Sequence, residues 1–269
     1  MANRLKYMVS ADFGQTTDFT AVAVTRRRLV PVGGPYTYEG ARWVYHDGMQ
    51  PFEETRQDVA QHYDLIRLDR VALHTPYTKI AKGIVKLLEE LNHIHRNEQP
   101  EPGNPADRGN PATGVEVGLA IDEGGVGKAV KDILVDAVED GIKEGEPHIL
   151  FLPVTVHGGT NTTRSGGFWH IPKRDLVHAG IVAYQNGTLR VGKLRHRGVL
   201  EEELKNYRLK QNINTGYAGF EPLRDGQHDD LLFATCLGVW AWERAITKVE
   251  HRVFPGEMLA GAPVNVIEG

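Results

Sequence analysis

One stretch of the sequence constrains the fold more than any other. An apolar run at Val115–Ile121 (VEVGLAI) is followed by glycines and then by apolar residues at helical spacing (Val130, Ile133, Leu134, Ala137). A second apolar run, His148–Val156 (HILFLPVTV), comes next. Runs apolar at nearly every position read as strands covered on both faces. Strand, helix, strand in that order calls for parallel pairing through a right-handed crossover. The sheet is therefore expected to be central, with helices on either side.

The N-terminal third reads differently. Tyr7–Ala11, Thr20–Thr25, Tyr36–Tyr45 and Leu65–Leu73 are strand-like, and their connections are too short for crossover helices. They are expected to pair antiparallel. A helix is expected from Thr75–Pro76, with Ile80, Ile84, Leu87, Leu88 and Leu91 on one face. Further helices are predicted from Pro172 to about Gln185, from Gly198 to about Leu209 with Leu200, Leu204 and Tyr207 on one face, and from Asp229 to about Thr247. The expected class is α/β: a mixed sheet, antiparallel strands first and parallel strands after, flanked by helices on both faces. One domain is expected over 1–250, with the proline-rich segment 97–114 a surface insertion and 251–269 a flexible tail.

Three acidic stations stand out. Asp12 closes the first strand in VSADFG, Asp122 closes a central strand in GLAIDEGG, and Asp229–Asp230 open the last helix in GQHDDLLFATC. Side chains at the carboxyl ends of neighbouring parallel strands converge on one crevice. Clustered carboxylates repel, and a hard divalent cation resolves that conflict with oxygen ligands at about 2.0–2.1 Å for Mg²⁺. A site built from Asp12, Asp122, Asp229 and Asp230 favours Mg²⁺ or Mn²⁺ over zinc. Two such ions about 3.5–4 Å apart are suited to phosphodiester hydrolysis. The plainer alternatives are turn-forming strand-end aspartates and an N-cap at Asp229. Asp18 is read as pinning a turn, Glu123 as pointing to the opposite face, His228 as an exposed helix-start residue, and Asp132 and Asp225 as surface charges.

Composition excludes several classes. The single cysteine, Cys236, lies in an apolar run and rules out a disulfide framework or a cysteine zinc cluster. No apolar stretch reaches about 18 residues, so no membrane partner is expected. The net charge of −4 gives no overall basic signal, yet residues 161–220 carry ten Lys/Arg against four Asp/Glu. Arg164, Lys173, Arg174, Lys193, Arg195 and Arg197 in that segment are candidates for phosphate contacts. GGVGK at 124–128 is not a Walker A loop, since Asp122 and Ala129 stand where glycine and Ser/Thr belong. DFGQTT and DEGGVG also look like the phosphate hairpins of actin-like ATPases and sugar kinases, a competing phosphotransferase reading.

Taken together, ADFGQTTDFTAVAV, LIRLDRVALHTPYTKI, AIDEGGVGKAVKDIL, VTVHGGTNTTRSGGFWHIPKRDLV and GQHDDLLFATCLGVWAW, in that order, resemble the nuclease domain of the large terminase subunit of tailed bacteriophages. The resemblance implies a ribonuclease-H-like fold with Asp12, Asp122 and Asp230 as catalytic carboxylates and Asp229 as an adjacent acid that assists. It implies two Mg²⁺ or Mn²⁺ ions and cleavage of double-stranded DNA during genome packaging. Implied partners are a packaging ATPase, a portal and a small terminase, in the host bacterial cytoplasm. Neither a Walker A loop nor a Walker B acid is present, which leaves an excised domain and a separately encoded nuclease as alternatives. A third reading is a docking module active only with its motor.

Overall fold

The computed structural model describes residues 5–14, 18–44, 46–97, 117–125, 127–141, 149–165, 168–212, 217–222, 229–246 and 251–254. Four strands open the chain: β1 (Tyr7–Asp12), β2 (Ala21–Pro31), β3 (Tyr36–Val44) and β4 (Gly48–Arg70). Helix α1 (Tyr77–Asn97), strand β5 (Val117–Asp122), helix α2 (Gly127–Gly141) and strand β6 (Leu150–His157) follow. Next come β7 (Thr163–Ser165), β8 (Phe168–Pro172), α3 (Lys173–Gln185), β9 (Leu189–Val191) and α4 (Arg197–Asn206). The last elements are β10 (Tyr207–Asn212), β11 (Tyr217–Pro222), α5 (Asp230–Trp240), a π-helical turn (Ala241–Ala245) and β12 (His251–Phe254).

The main sheet runs β12-β4-β2-β1-β5-β6-β8-β7, with β3 and β9 also paired to β4. β1, β2 and β4 pair antiparallel, while β1, β5, β6 and β8 are mutually parallel. This is the mixed order expected, with β1, β2 and β4 antiparallel and the sheet continued by parallel crossover strands.

Two cores sandwich the sheet. Tyr7, Val9 and Ala11 of β1 and Leu119 and Ile121 of β5 pack with Ile84, Leu88, Val130 and Leu134 of α1 and α2. The opposite face gathers Met8, Ala23, Leu68 and Ala120 with Leu176 and Val177 of α3, Leu200 of α4 and most of α5. Strand side chains alternate between faces. Asp12 therefore follows Met8 and Ser10 toward α5, Asp122 follows Ala120, and Arg70 follows Leu68. Parity alone brings these three charged side chains to one face of one sheet edge.

Several sequence expectations need correction. β4 starts at Gly48, not Leu65, and stops at Arg70, where Val71 N donates to the Thr20 carbonyl at 2.8 Å. Its first half is solvated on both faces, so no alternation marks it. Helix α4 ends at Asn206; Tyr207, expected on its face, begins the β10–β11 hairpin instead. α5 becomes a π-helical turn after Trp240, and Ile246 is already extended. His251–Phe254, assigned to the tail, pairs antiparallel with Thr55–Asp58 of β4. The short strands β7, β8 and β9 had no expectation. Most of segment 97–114, His228, Asp225 and the tail beyond Phe254 lie outside the described residues.

Candidate metal centre

Ala11 of β1 pairs with Ile121 of β5, so Asp12 and Asp122 end level on adjacent parallel strands. The chain after Asp122 turns back at once. Gly124 N donates to Asp122 Oδ1 at 2.8 Å, and Val156 N of β6 donates to the same oxygen at 3.3 Å. Gly125 has φ +56°, and a Cβ at Gly127 would lie 1.9 Å from the Asp122 carbonyl oxygen. These glycines let the loop close around the carboxylate. On the other strand, Gly14 N donates to Thr20 Oγ1 at 3.2 Å and Tyr77 Oη donates to the Gly14 carbonyl at 3.0 Å, fixing the turn beyond Asp12.

Helix α5 crosses this face with its start over the strand ends. Ser10 Oγ donates to the Ala234 carbonyl at 2.6 Å, and a Cβ at Gly238 would sit 2.9 Å from Ser10 Oγ. Small residues on both sides let the helix lie close to β1. The Asp12 carboxyl is held well above the usual carboxylate range, first by burial and then by Asp122, Asp229 and Asp230; Lys173 opposes the shift. All three acidic stations thus act on one carboxyl. Burial also raises Asp122, against its two backbone hydrogen bonds, and raises Asp229 against Lys173.

The two neighbouring aspartates are held differently. Asp230 is buried and gripped by Arg70, whose Nε donates to Oδ2 at 2.8 Å and Nη2 to Oδ1 at 3.1 Å. Asp229 is more open; Lys173 Nζ lies 3.7 Å from its Oδ2. Asp229 occupies the N-cap position of α5 but makes no side-chain capping hydrogen bond. Glu203 of α4 fills that role from outside the helix: its Oε2 accepts from Leu232 N at 2.8 Å, while Oε1 accepts from Arg70 Nη2 at 2.8 Å. Burial pushes the Glu203 carboxyl up to about 8.

Among the described residues, no three His, Cys, Asp or Glu side chains stand close enough to close on one ion. The donor chemistry fits a hard divalent cation, with four carboxylates around one strand edge and no sulfur or imidazole set. The side chains are turned to protein partners instead: Asp122 to backbone N–H groups, Asp230 to Arg70, Asp229 to Lys173.

The six basic candidates separate into two groups. Lys173 is at the acidic cluster itself, its ammonium 4.4 Å from the Phe233 ring centre and 6.0 Å from that of Tyr207. Arg164 lies over Trp169 at 5.1 Å, and Arg174 Nη2 donates to the Thr160 carbonyl at 2.9 Å. These belong to the β7–β8 end of the sheet. Lys193, Arg195 and Arg197 follow β9 beyond β4, on the other flank, all exposed, with Arg197 paired to Glu201 at 2.8 Å. Glu123, expected on the opposite face, pairs with Lys131 at 2.8 Å. Asp18 and Asp132 are exposed. Cys236 is buried and inert, its thiol pushed up by burial.

Arg70 and Glu203 are absent from the sequence reading. Nothing local distinguishes Arg70 from Arg67, or Glu203 from Glu201 and Glu202; tertiary contact alone selects them. The phosphate-hairpin reading accounts for the two Asp-x-Gly turns, which end neighbouring strands of one sheet, but gives no role to the Asp229–Asp230 pair at the start of α5.

No protein family and no curated protein matches the chain in sequence. Among solved structures, the chain is similar to the human cytomegalovirus terminase nuclease domain soaked in Mn. The TM-score is 0.47 and the identity 10%, over 92% of this chain and 89% of that one. A second structure of the human cytomegalovirus terminase nuclease domain gives 0.46 and 11%, over 92% and 86%. An Mn-soaked, inhibitor-bound form gives 0.42 and 11%, over 93% and 87%.

Proposed function

We propose that the chain is a divalent-metal-dependent endonuclease that hydrolyses phosphodiester bonds of double-stranded DNA, in the manner of terminase nuclease domains. One observation carries the reading. Asp12 and Asp122 end neighbouring parallel strands side by side, facing a helix that opens with Asp229–Asp230. Asp12, Asp122 and one member of the Asp229–Asp230 pair would hold Mg²⁺ or Mn²⁺. When bound, a pair of such ions supplies a water nucleophile at neutral pH and stabilises the oxygen that departs from phosphorus.

The protein's own groups account for the rest. Gly124 and Gly125 keep Asp122 in place and set backbone, with no side chain of their own, beside it. Lys173 supplies positive charge at the cluster edge, where a scissile phosphate would approach. Arg164 and Arg174 on one flank and Lys193, Arg195 and Arg197 on the other would follow the DNA backbone without reading sequence. In this reading the substrate is the packaged concatemer in the host bacterial cytoplasm, and the partners are a packaging ATPase, a portal and a small terminase.

The test is cleavage of supercoiled plasmid by the purified chain in Mn²⁺ or Mg²⁺. Nicked and linear products are expected, and Asp12→Asn or Asp122→Asn should abolish them. Full cleavage by either variant overturns the assignment; saturable ATP turnover that Asp230→Asn leaves unchanged would favour a phosphotransferase.

A further inference from the structure

We infer that Arg70 and Glu203 form a positioning clamp that commits Asp230 to structure and frees Asp229 to be the third metal ligand. The inference rests on the reading of the strand-end carboxylates as an ion site and goes on to decide between two adjacent acids.

A helix starting with aspartate ordinarily spends that carboxylate on its own orphan N–H groups. Here the N–H of Leu232 is satisfied by Glu203 Oε2, from a different helix, and the Asp229 carboxylate makes no cap bond. The second oxygen of Glu203 accepts from Arg70, and Arg70 grips both oxygens of Asp230. One guanidinium and one carboxylate thus take up the capping duty of Asp229 and both oxygens of Asp230. The Arg70 guanidinium also lies 4.9 Å from the Phe19 ring centre, which holds its plane.

Magnitudes favour the same member of the pair. Asp230 and Arg70 are 7% and 17% exposed, and their contact is two-pronged. Breaking a buried charge pair of that geometry leaves an uncompensated charge away from water and is strongly unfavourable. Asp229 and Lys173 are 27% and 41% exposed, 3.7 Å apart, with one contact. Solvent-screened pairs of that kind contribute little to stability. An arriving cation would therefore draw Asp229 away from Lys173 far more readily than Asp230 away from Arg70. Arg70 and Glu203 act through α5, not on the ion.

The experiment is calorimetric titration of Mn²⁺ into the full chain and four variants, with circular dichroism as the folding control. Asp229→Asn is expected to weaken Mn²⁺ binding about tenfold or more, while Asp230→Asn stays within about threefold and melts earlier. Glu203→Ala removes the external cap and is expected to weaken Mn²⁺ binding by roughly tenfold, the size seen for groups that orient ligands. Glu203→Gln keeps an acceptor for Leu232 N–H and should recover most of that loss, which a general loss of stability would not. Wild-type affinity in Asp229→Asn overturns the clamp, whether or not Asp230→Asn folds. So does loss of binding in a folded Asp230→Asn. A wild-type chain that takes up no Mn²⁺ overturns the metal-site reading itself.

Discussion

Four carboxyls of the cluster, those of Asp12, Asp122, Asp229 and Glu203, are all raised by burial. A carboxyl whose folded pKa exceeds its unfolded value binds more protons in the native state, so stability falls as pH rises between the two values. For Glu203 that window runs from 4.5 to about 8. The metal-free chain should therefore lose thermal stability from about pH 5 to pH 8. Asp12→Asn should flatten the slope, and Mn²⁺ should raise the Tm more at pH 8 than at pH 5, because ion and protons compete. A slope unchanged in Asp12→Asn, from melts across that range, would show that burial of these acids is not what sets it. At this scale the ligand candidates were legible, because each acid closes an apolar run or opens an apolar helix. Their supporting shell was not. Arg70 and Glu203 lie in charged stretches, RLDR and EEEL, where no spacing marks one residue above the next.

Helix α5 is the element on which the site depends. It is buried between the sheet and α3, and close approach is paid for by small residues on both partners. A Cβ at Gly180 of α3 would lie 2.3 Å from Cys236 Sγ. Gly180→Ala should therefore destabilise the fold by about 1–3 kcal/mol through overpacking. Adding Cys236→Ala, which removes the clashing sulfur, should restore part of the loss in chemical denaturation. An additive double variant would mean that the α3–α5 contact is looser than described. The sequence announced the elements with a covered face, β1, β2, β5, β6, α1, α2, α3 and α5, together with α4 and the exposed strand β3. The lower half of β4 was hidden because Gln50–Gln61 is partly exposed on both sides and shows no period-two pattern. The three-residue strands β7 and β9 are too short for any periodicity to register.

At the scale of the whole molecule, a net charge of −4 coexists with two basic flanks on either side of an acidic edge. Phosphate contacts of this kind release counterions, so DNA affinity should fall steeply with salt. Replacing both Lys193 and Arg195 with alanine should lower the slope of log affinity against log salt by about 1.8, since each contact contributes about 0.9. Filter binding on Ca²⁺-loaded or metal-free protein over a salt series would check it, and an unchanged slope would remove that flank from the DNA path. The most direct measurement for the account as a whole is anomalous diffraction from crystals soaked in Mn²⁺. The expected result is ion density contacting Asp12 and Asp122 at the ends of β1 and β5, with Asp229 turned in from α5 and Asp230 still on Arg70. Density that avoids Asp12 and Asp122, or its absence at saturating Mn²⁺, would contradict it.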